Sequence, residues 1–131
     1  MNPEVIAEFR ANDGVVKRFG GLPIIILHTV GARTGKVREI PLIPVFEGER
    51  MLLYGTAAGS PSHPAWYYNL RAHPRITVEY GAETFEADIV QLDDHEAAGI
   101  LAMHALENEV LVQYMEEASP RVVPVFEVKR A

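Results

Sequence analysis

The stretch "LPIIILHTVGARTGKVREIPLIPVFEGERMLLYGT", residues 22–56, decides the architecture. "LPIIILHTV" (22–30) is dense in β-branched and apolar residues, the composition of a buried strand. "GARTG" (31–35) is a glycine-bounded turn. "KVREIPLIPVFE" (36–47) reads as a second strand. Its Pro41 and Pro44 cannot donate to a ladder, so it is expected to be bulged or at an edge. "EGER" (47–50) is a hairpin turn, and "MLLYGT" (51–56) returns as a third strand.

Working outward, residues 3–11 predict a short helix that ends near "ANDG". After the third strand, "AAGSPS" is loop. Pro64 suits the first position of a helix capped by Ser62 or His63, and Pro74 ends that helix by about His73. "RITVEY" and "TFEADIVQL" flank "GAE" as a hairpin with period-two alternation. Asp93 and Glu96 resemble a capping box. The helix they open carries Ile100, Met103, Leu106 and Val110 as an apolar stripe. "RVVPVFEV" (121–128) is a last strand. The order α, β, β, β, short α, β, β, α, β has no regular βαβ alternation. It predicts an α+β, mainly β fold: an antiparallel sheet or small barrel with peripheral helices, in one domain over residues 1–131.

Composition bounds the function. With 131 residues, 48% hydrophobic and 23% charged, the chain can bury a core of its own. It has no cysteine, which excludes disulfides and thiolate metal sites. The histidines show no H-x-x-x-H or H-E-x-x-H pair, so no metal site is expected. A net charge of −6 disfavours nucleic acid as a partner. The N-terminus has no basic region followed by an apolar one, and "LPIIIL" falls far short of the ~20 residues of a membrane span. A cytoplasmic protein without stable membrane insertion is expected, as monomer or homodimer.

The charge is unevenly placed. Five basic residues and no acid lie between Gly14 and Arg38, whereas eleven acids and no Lys or Arg lie between Ile76 and Pro120. The basic segment contains "GARTGKVR" (31–38), where two glycines permit a tight turn whose N–H groups can face an anion. Arg33, Lys36 and Arg38 add charge and Thr34 a hydroxyl. This is a phosphate or polycarboxylate site, or else a solvated β-turn. The second constellation is "TAAGSPSHPAWYYNLRAHP" (56–74). Its small residues let a flat ligand approach the backbone, and Trp66 and Asn69, three apart, share a helix face. The alternative is that Trp66, Tyr67 and Leu70 are core contacts.

Three segments occur in one order: residues 9–42, residues 55–87 and "RVVPVFEV" (121–128). Together, through "GARTGKVREIPL" and "HPAWYYNL", they resemble the deazaflavin-dependent nitroreductase family of actinobacteria, over nearly the whole chain. The resemblance implies a split β-barrel and a reductase that uses coenzyme F420. A hydride would pass from the reduced deazaflavin to a quinone, nitro compound or activated double bond as small-molecule acceptor. It implies that Arg33, Thr34, Gly35 and Arg38, with Lys36 helping, hold the cofactor's phosphate and tail. It implies that Pro41, Leu42 and Ile43, the loop Thr56, Ala57, Ala58 and Gly59, and Ala65, Trp66 and Asn69 form the ring pocket. Many relatives carry a lysine where this chain has Ala57 or Ala58. Relatives with quinone or nitro activity often show several tyrosines before the last strand, of which only Tyr114 is present here. The proton that follows the hydride comes from solvent or from a side chain, for which Tyr114 is the candidate. Two alternatives remain open at this stage: the same barrel using flavin mononucleotide (FMN), and a non-catalytic F420 carrier.

Overall fold

The computed structural model describes residues 2–131. Seven strands form one sheet: β1 (Ile25–Val30), β2 (Val37–Leu42), β3 (Val45–Glu47), β4 (Arg50–Tyr54), β5 (Arg75–Tyr80), β6 (Glu83–Gln91) and β7 (Val125–Arg130). Four helices accompany it: α1 (Asn2–Ala11), α2 (Ala65–Ala72), α3 (Asp94–Ala105) and α4 (Glu109–Ala118). The strand order is β2-β1-β5-β6-β7-β4-β3, and every pairing is antiparallel.

This order forces the sheet to curl. Laid flat, seven strands would hold β2 and β3 about 29 Å apart, six spacings of ~4.8 Å. Only Ile43 and Pro44 join those two strands, and such a link reaches at most about 11 Å. The sheet therefore bends into a half-barrel. The Phe46 ring on β3 stands 6.0 Å from the Tyr80 ring on β5, which is well separated from it in the ladder.

Alternation along the strands sorts three apolar clusters. On β1, Ile25 and Leu27 face the barrel interior with Val78, Ala87, Ile89 and Phe126. Trp66, Tyr67 and Leu70 of α2 pack into that cluster. Ile26, on the opposite face of β1, meets Val5, Ile6 and Phe9 of α1. A third cluster lies under α3 and α4, around Leu52, Leu101, Leu111 and Val125. The register Leu27↔Ile40 and Ile25↔Leu42 puts Ile40 and Leu42 on the interior face of β2. Arg38, opposite Thr29, shares that face by the two-residue period.

Several elements differ from the sequence-based expectation. The strand expected over 36–47 is two strands, broken at Ile43–Pro44, because a buried proline without an N–H ends the ladder. The last strand begins at Val125, not at residue 121. The helix opened by Asp93 ends at Ala105, and α4 starts afresh with Asn108 Oδ1 accepting from Leu111 N–H at 3.0 Å. Of the expected stripe, Ile100 is buried, but Met103 (68%), Leu106 (81%) and Val110 (54%) are exposed. Asp93 does cap α3, accepting from Glu96 N–H at 2.8 Å. Glu96, however, turns to Arg50. At α2, Pro64 takes the N-cap position itself, with no side-chain cap from Ser62 or His63.

Candidate functional site

The turn between β1 and β2 braces itself. Gly31 N–H donates to Lys36 O at 2.8 Å, and Gly35 N–H to Gly31 O at 2.9 Å. Gly35 sits at φ +69°, where a side chain would be strained. A Cβ on Gly31 would lie 2.5 Å from Thr34 Oγ1, and that hydroxyl accepts from Lys36 N–H at 3.2 Å. The chain thus folds tightly around Thr34 and sends Arg33, Lys36 and Arg38 into solvent. None of these three cations takes part in an ion pair among the described residues. Several other arginines are paired: Arg10 with Glu39 and Glu79, Arg50 with Glu47 and Glu127, Arg75 with Asp88.

α2 is tied to the turn through Asn69 Oδ1, which accepts from Ala32 N–H at 3.0 Å. Between them opens a cleft of about 590 Å³, lined by Gly31, Ala32, Arg33, Thr34, Arg38, Ala65, Tyr68 and Asn69. A volume of this size suits a small-molecule ligand. Five residues expected from the sequence meet here: Arg33, Thr34, Arg38, Ala65 and Asn69. Gly35 and Lys36 belong to the turn behind them.

The other expected residues are placed differently. Trp66 is 8% exposed, its ring edge-on to Phe126 at 5.7 Å, so it is a core residue. The aromatic that borders the cleft is Tyr68, 52% exposed. Pro41 pairs with Ile26, Leu42 packs against the interior cluster, and Ile43 is exposed in the link to β3. Thr56–Gly59 form a turn at the head of the loop leading to α2. Ala57, Ala58 and Gly59 all have positive φ, at +48°, +52° and +83°. Gly59 is pressed against α4, since a Cβ there would lie 2.6 Å from Glu117 Oε2. Tyr114 lies half-buried on this same helix.

Sequence reasoning missed Tyr68, the Ala32 amide and Arg121. For Tyr68 a signal existed: Trp66, Tyr67 and Leu70 occupy one helical face, so the tyrosine between them must point elsewhere. Arg121 reaches the 55–63 loop from some sixty residues away, and no local pattern marks it.

A second polar cluster lies across β1 under α1. Arg10 donates to Glu79 at 2.7 and 3.0 Å and to Glu39 at 2.5 Å, and His28 Nε2–H donates to Glu79 at 2.6 Å. Ligand atoms of His28, Glu39 and Glu79 come within 4.8 Å of one another, the spacing of a metal site. The guanidinium of Arg10 supplies the positive charge those carboxylates need. Its hydrogen bond, with that of His28, holds the Glu79 carboxyl below its usual range against the opposing effect of burial. Tyr54, whose hydroxyl meets His104 Nδ1, is pushed up to about 12, first by burial and then by Glu47.

A curated F420H(2)-dependent quinone reductase of Mycobacterium tuberculosis is 31% identical over 77 residues, 59% of this chain and 52% of that protein. The chain thus spans about half the length of the curated relatives it matches. Among solved structures, an F420-H2 dependent reductase, FDR-A, superposes with a TM-score of 0.68 at 29% identity, covering 82% of this chain and 94% of that one. A domain-swapped dimer superposes with a TM-score of 0.69 at 26% identity, covering 97% and 96%. The profile described as F420H(2)-dependent quinone reductase matches residues 3–129. With that match running from α1 to the end of β7, the chain belongs to the F420H(2)-dependent quinone reductase family.

Proposed function

We propose that the chain is an F420H2-dependent reductase that passes a hydride to a quinone, with nitro compounds and activated double bonds as further acceptors. The observation that carries this reading is a braced turn presenting three cations without carboxylate partners beside a cleft of small residues. Free guanidinium groups fit an anionic tail of phosphate and glutamates, because Arg binds both groups through paired N–H donors. The glycine and alanine lining fits close approach of a ligand to the backbone.

In this reading Arg33, Arg38 and Lys36 bind the tail, and Thr34 and Gly35 shape the turn that carries them. Ala65 leaves room at the start of α2, and Asn69 keeps that helix docked on the turn. Pro41, Leu42 and Ile43, with the turn Thr56, Ala57, Ala58 and Gly59, wall the ring side and exclude water. The reduced cofactor supplies a hydride from C5 of its deazaflavin ring. The protein's share is position, electrostatics and dryness. Tyr114, on the helix packed against Gly59, is assigned the delivery of the proton. The reaction is placed in the cytoplasm. A domain-swapped dimer of similar fold supports a homodimer as one assembly. Among the described residues no helix is long and apolar enough to cross a membrane.

The test is a parallel fluorescence titration with F420 and FMN, followed by oxidation of F420H2 with a benzoquinone. Binding of F420 with turnover is the expected result. Binding of FMN alone overturns the cofactor, and F420 binding without turnover on a panel of quinones and nitroarenes makes the chain a carrier.

A further inference from the structure

Arg121 stands in the segment between α4 and β7, and all five of its guanidinium N–H groups have an acceptor. Nε–H donates to Ser60 O at 3.1 Å, and Nη2 donates to Ser60 O at 2.8 Å and to Thr56 O at 2.9 Å. Nη1 donates to Gly55 O at 2.8 Å and to His63 Nδ1 at 3.1 Å. No carboxylate is among these partners. A buried or half-buried arginine ordinarily takes an acid as partner. This one spends its fork on backbone carbonyls, which fixes chain shape, not charge.

The carbonyls it grips bracket an unusual turn. Ala57 and Ala58 lie in the left-handed region although each carries a Cβ, and Gly59 follows with φ +83°. Such a run persists only where its surroundings over-determine it. Arg121 restrains it from one side, and Glu117 of α4 packs on Gly59 from the other. His63 is held as well. Its ring stacks on Tyr67 at 3.9 Å and 20°. Because an arginine can only donate, Nδ1 must be the acceptor, which leaves the ring proton on Nε2.

We propose that Arg121 is a positioning residue for the cofactor site: it sets the Thr56–Gly59 turn, with its left-handed run Ala57–Gly59, in its ligand-ready shape and fixes His63 with Nε2 as its donor. This rests on the cofactor reading above. A loop already in its bound shape loses no conformational freedom when the ligand arrives, so its benefit shows as affinity. Burial, then Arg121 and Arg71, push the His63 ring below its ordinary range, in keeping with a ring that stays neutral beside the guanidinium.

The experiment compares the unmodified chain with Arg121→Lys and Arg121→Gln at a temperature where each is folded by circular dichroism. F420 affinity, the KM for F420H2 and the ¹⁵N resonances of His63 are read together. Both variants are expected to weaken F420 binding and raise KM at least tenfold. Lysine should rescue only in part, because a point charge cannot reproduce the fork. In Arg121→Gln the His63 titration should move up toward the ordinary histidine range. Unchanged affinity in folded variants overturns the positioning role alone, while failure of the unmodified chain to bind F420 overturns the cofactor reading and this role with it. Two readouts need no variant. His63 must show the Nε2–H tautomer, and the Gly59 and Ser60 amides, which donate to Thr56 O at 2.9 Å and Ala57 O at 3.0 Å, must already resist hydrogen exchange without ligand. An Nδ1–H tautomer or unprotected amides overturn the proposal even if neither variant folds.

Discussion

Asn69 and Ala32 are joined across 37 residues of chain by one hydrogen bond of 3.0 Å, from the Ala32 N–H to Asn69 Oδ1. Through it, the helix whose other face fills the barrel also anchors the basic turn. Asn69→Ala frees an exposed amide that water can satisfy, so the stability loss should be small, ~0.5–1.5 kcal/mol. The turn loses its register against α2, and F420 binding is expected to weaken about tenfold, or ~1.4 kcal/mol. Urea denaturation and a fluorescence titration on the same sample check both halves. Unchanged affinity in the folded variant would make Asn69 a scaffold residue only.

Arg33→Gln and Arg38→Gln remove cations that have no ion-pair partner among the described residues. Surface substitutions of this kind change stability by about 0.5 kcal/mol or less. Melting temperature should therefore stay put while F420 affinity falls roughly tenfold for each, as for the loss of a charge-assisted hydrogen bond. The dependence of affinity on salt should flatten in step. An affinity indifferent to both substitutions and to salt would return "GARTGKVR" to being a solvated turn.

Glu79 gives the fold an acid-sensitive joint. Its carboxyl is held below the ordinary 4.5 chiefly by the Arg10 hydrogen bond. The unfolded chain therefore takes up this proton first as pH falls, and the stabilisation, complete above about pH 4.5, is lost below it. Glu79→Gln should lower stability at pH 7 and make its decline below pH 4.5 shallower. Chemical denaturation at a series of pH values measures the slope. Parallel pH profiles for the two proteins would remove Glu79 from the account.

Tyr114→Phe separates proton delivery from packing. General acid catalysis by a placed side chain is worth about 10²-fold or more. Quinone turnover is expected to fall by about that factor, with F420 affinity unchanged. Unchanged turnover assigns the proton to solvent.

Much of this is legible in the sequence, and what is not has physical reasons. Glycines at 31 and 35 and the alternating runs that follow mark the β1–β2 hairpin, because turn chemistry and period are local properties. The break at Pro44 was half visible: a missing N–H signals an edge, but whether the strand bulges or stops depends on which strand lies alongside. The corner at Leu106–Asn108 was misread because Met103, Leu106 and Val110 keep helical spacing while lying exposed. The overlooked signal was Asn108, a helix cap in mid-run. In α2 the aromatic row was recognised as a wall, yet Trp66 faces the core and Tyr68 the cleft. Residues two apart differ by about 200° around a helix, and only the position of the barrel says which way is in. Arg121 is the extreme case. Its acceptors lie 58 to 66 residues away, and only the folded chain brings them within reach.

The two-residue link Ile43–Pro44 has a consequence beyond curling the sheet. A sheet normally ends in two rows of unused N–H and C=O groups on which another chain can build. Here both outermost strands are tethered to each other at one end, so the margins of the sheet are turned toward each other and neither lies open as a long flat template. A second molecule adding to either end of the ladder therefore meets a curled margin, hindered most where Ile43 and Pro44 hold β2 and β3 together.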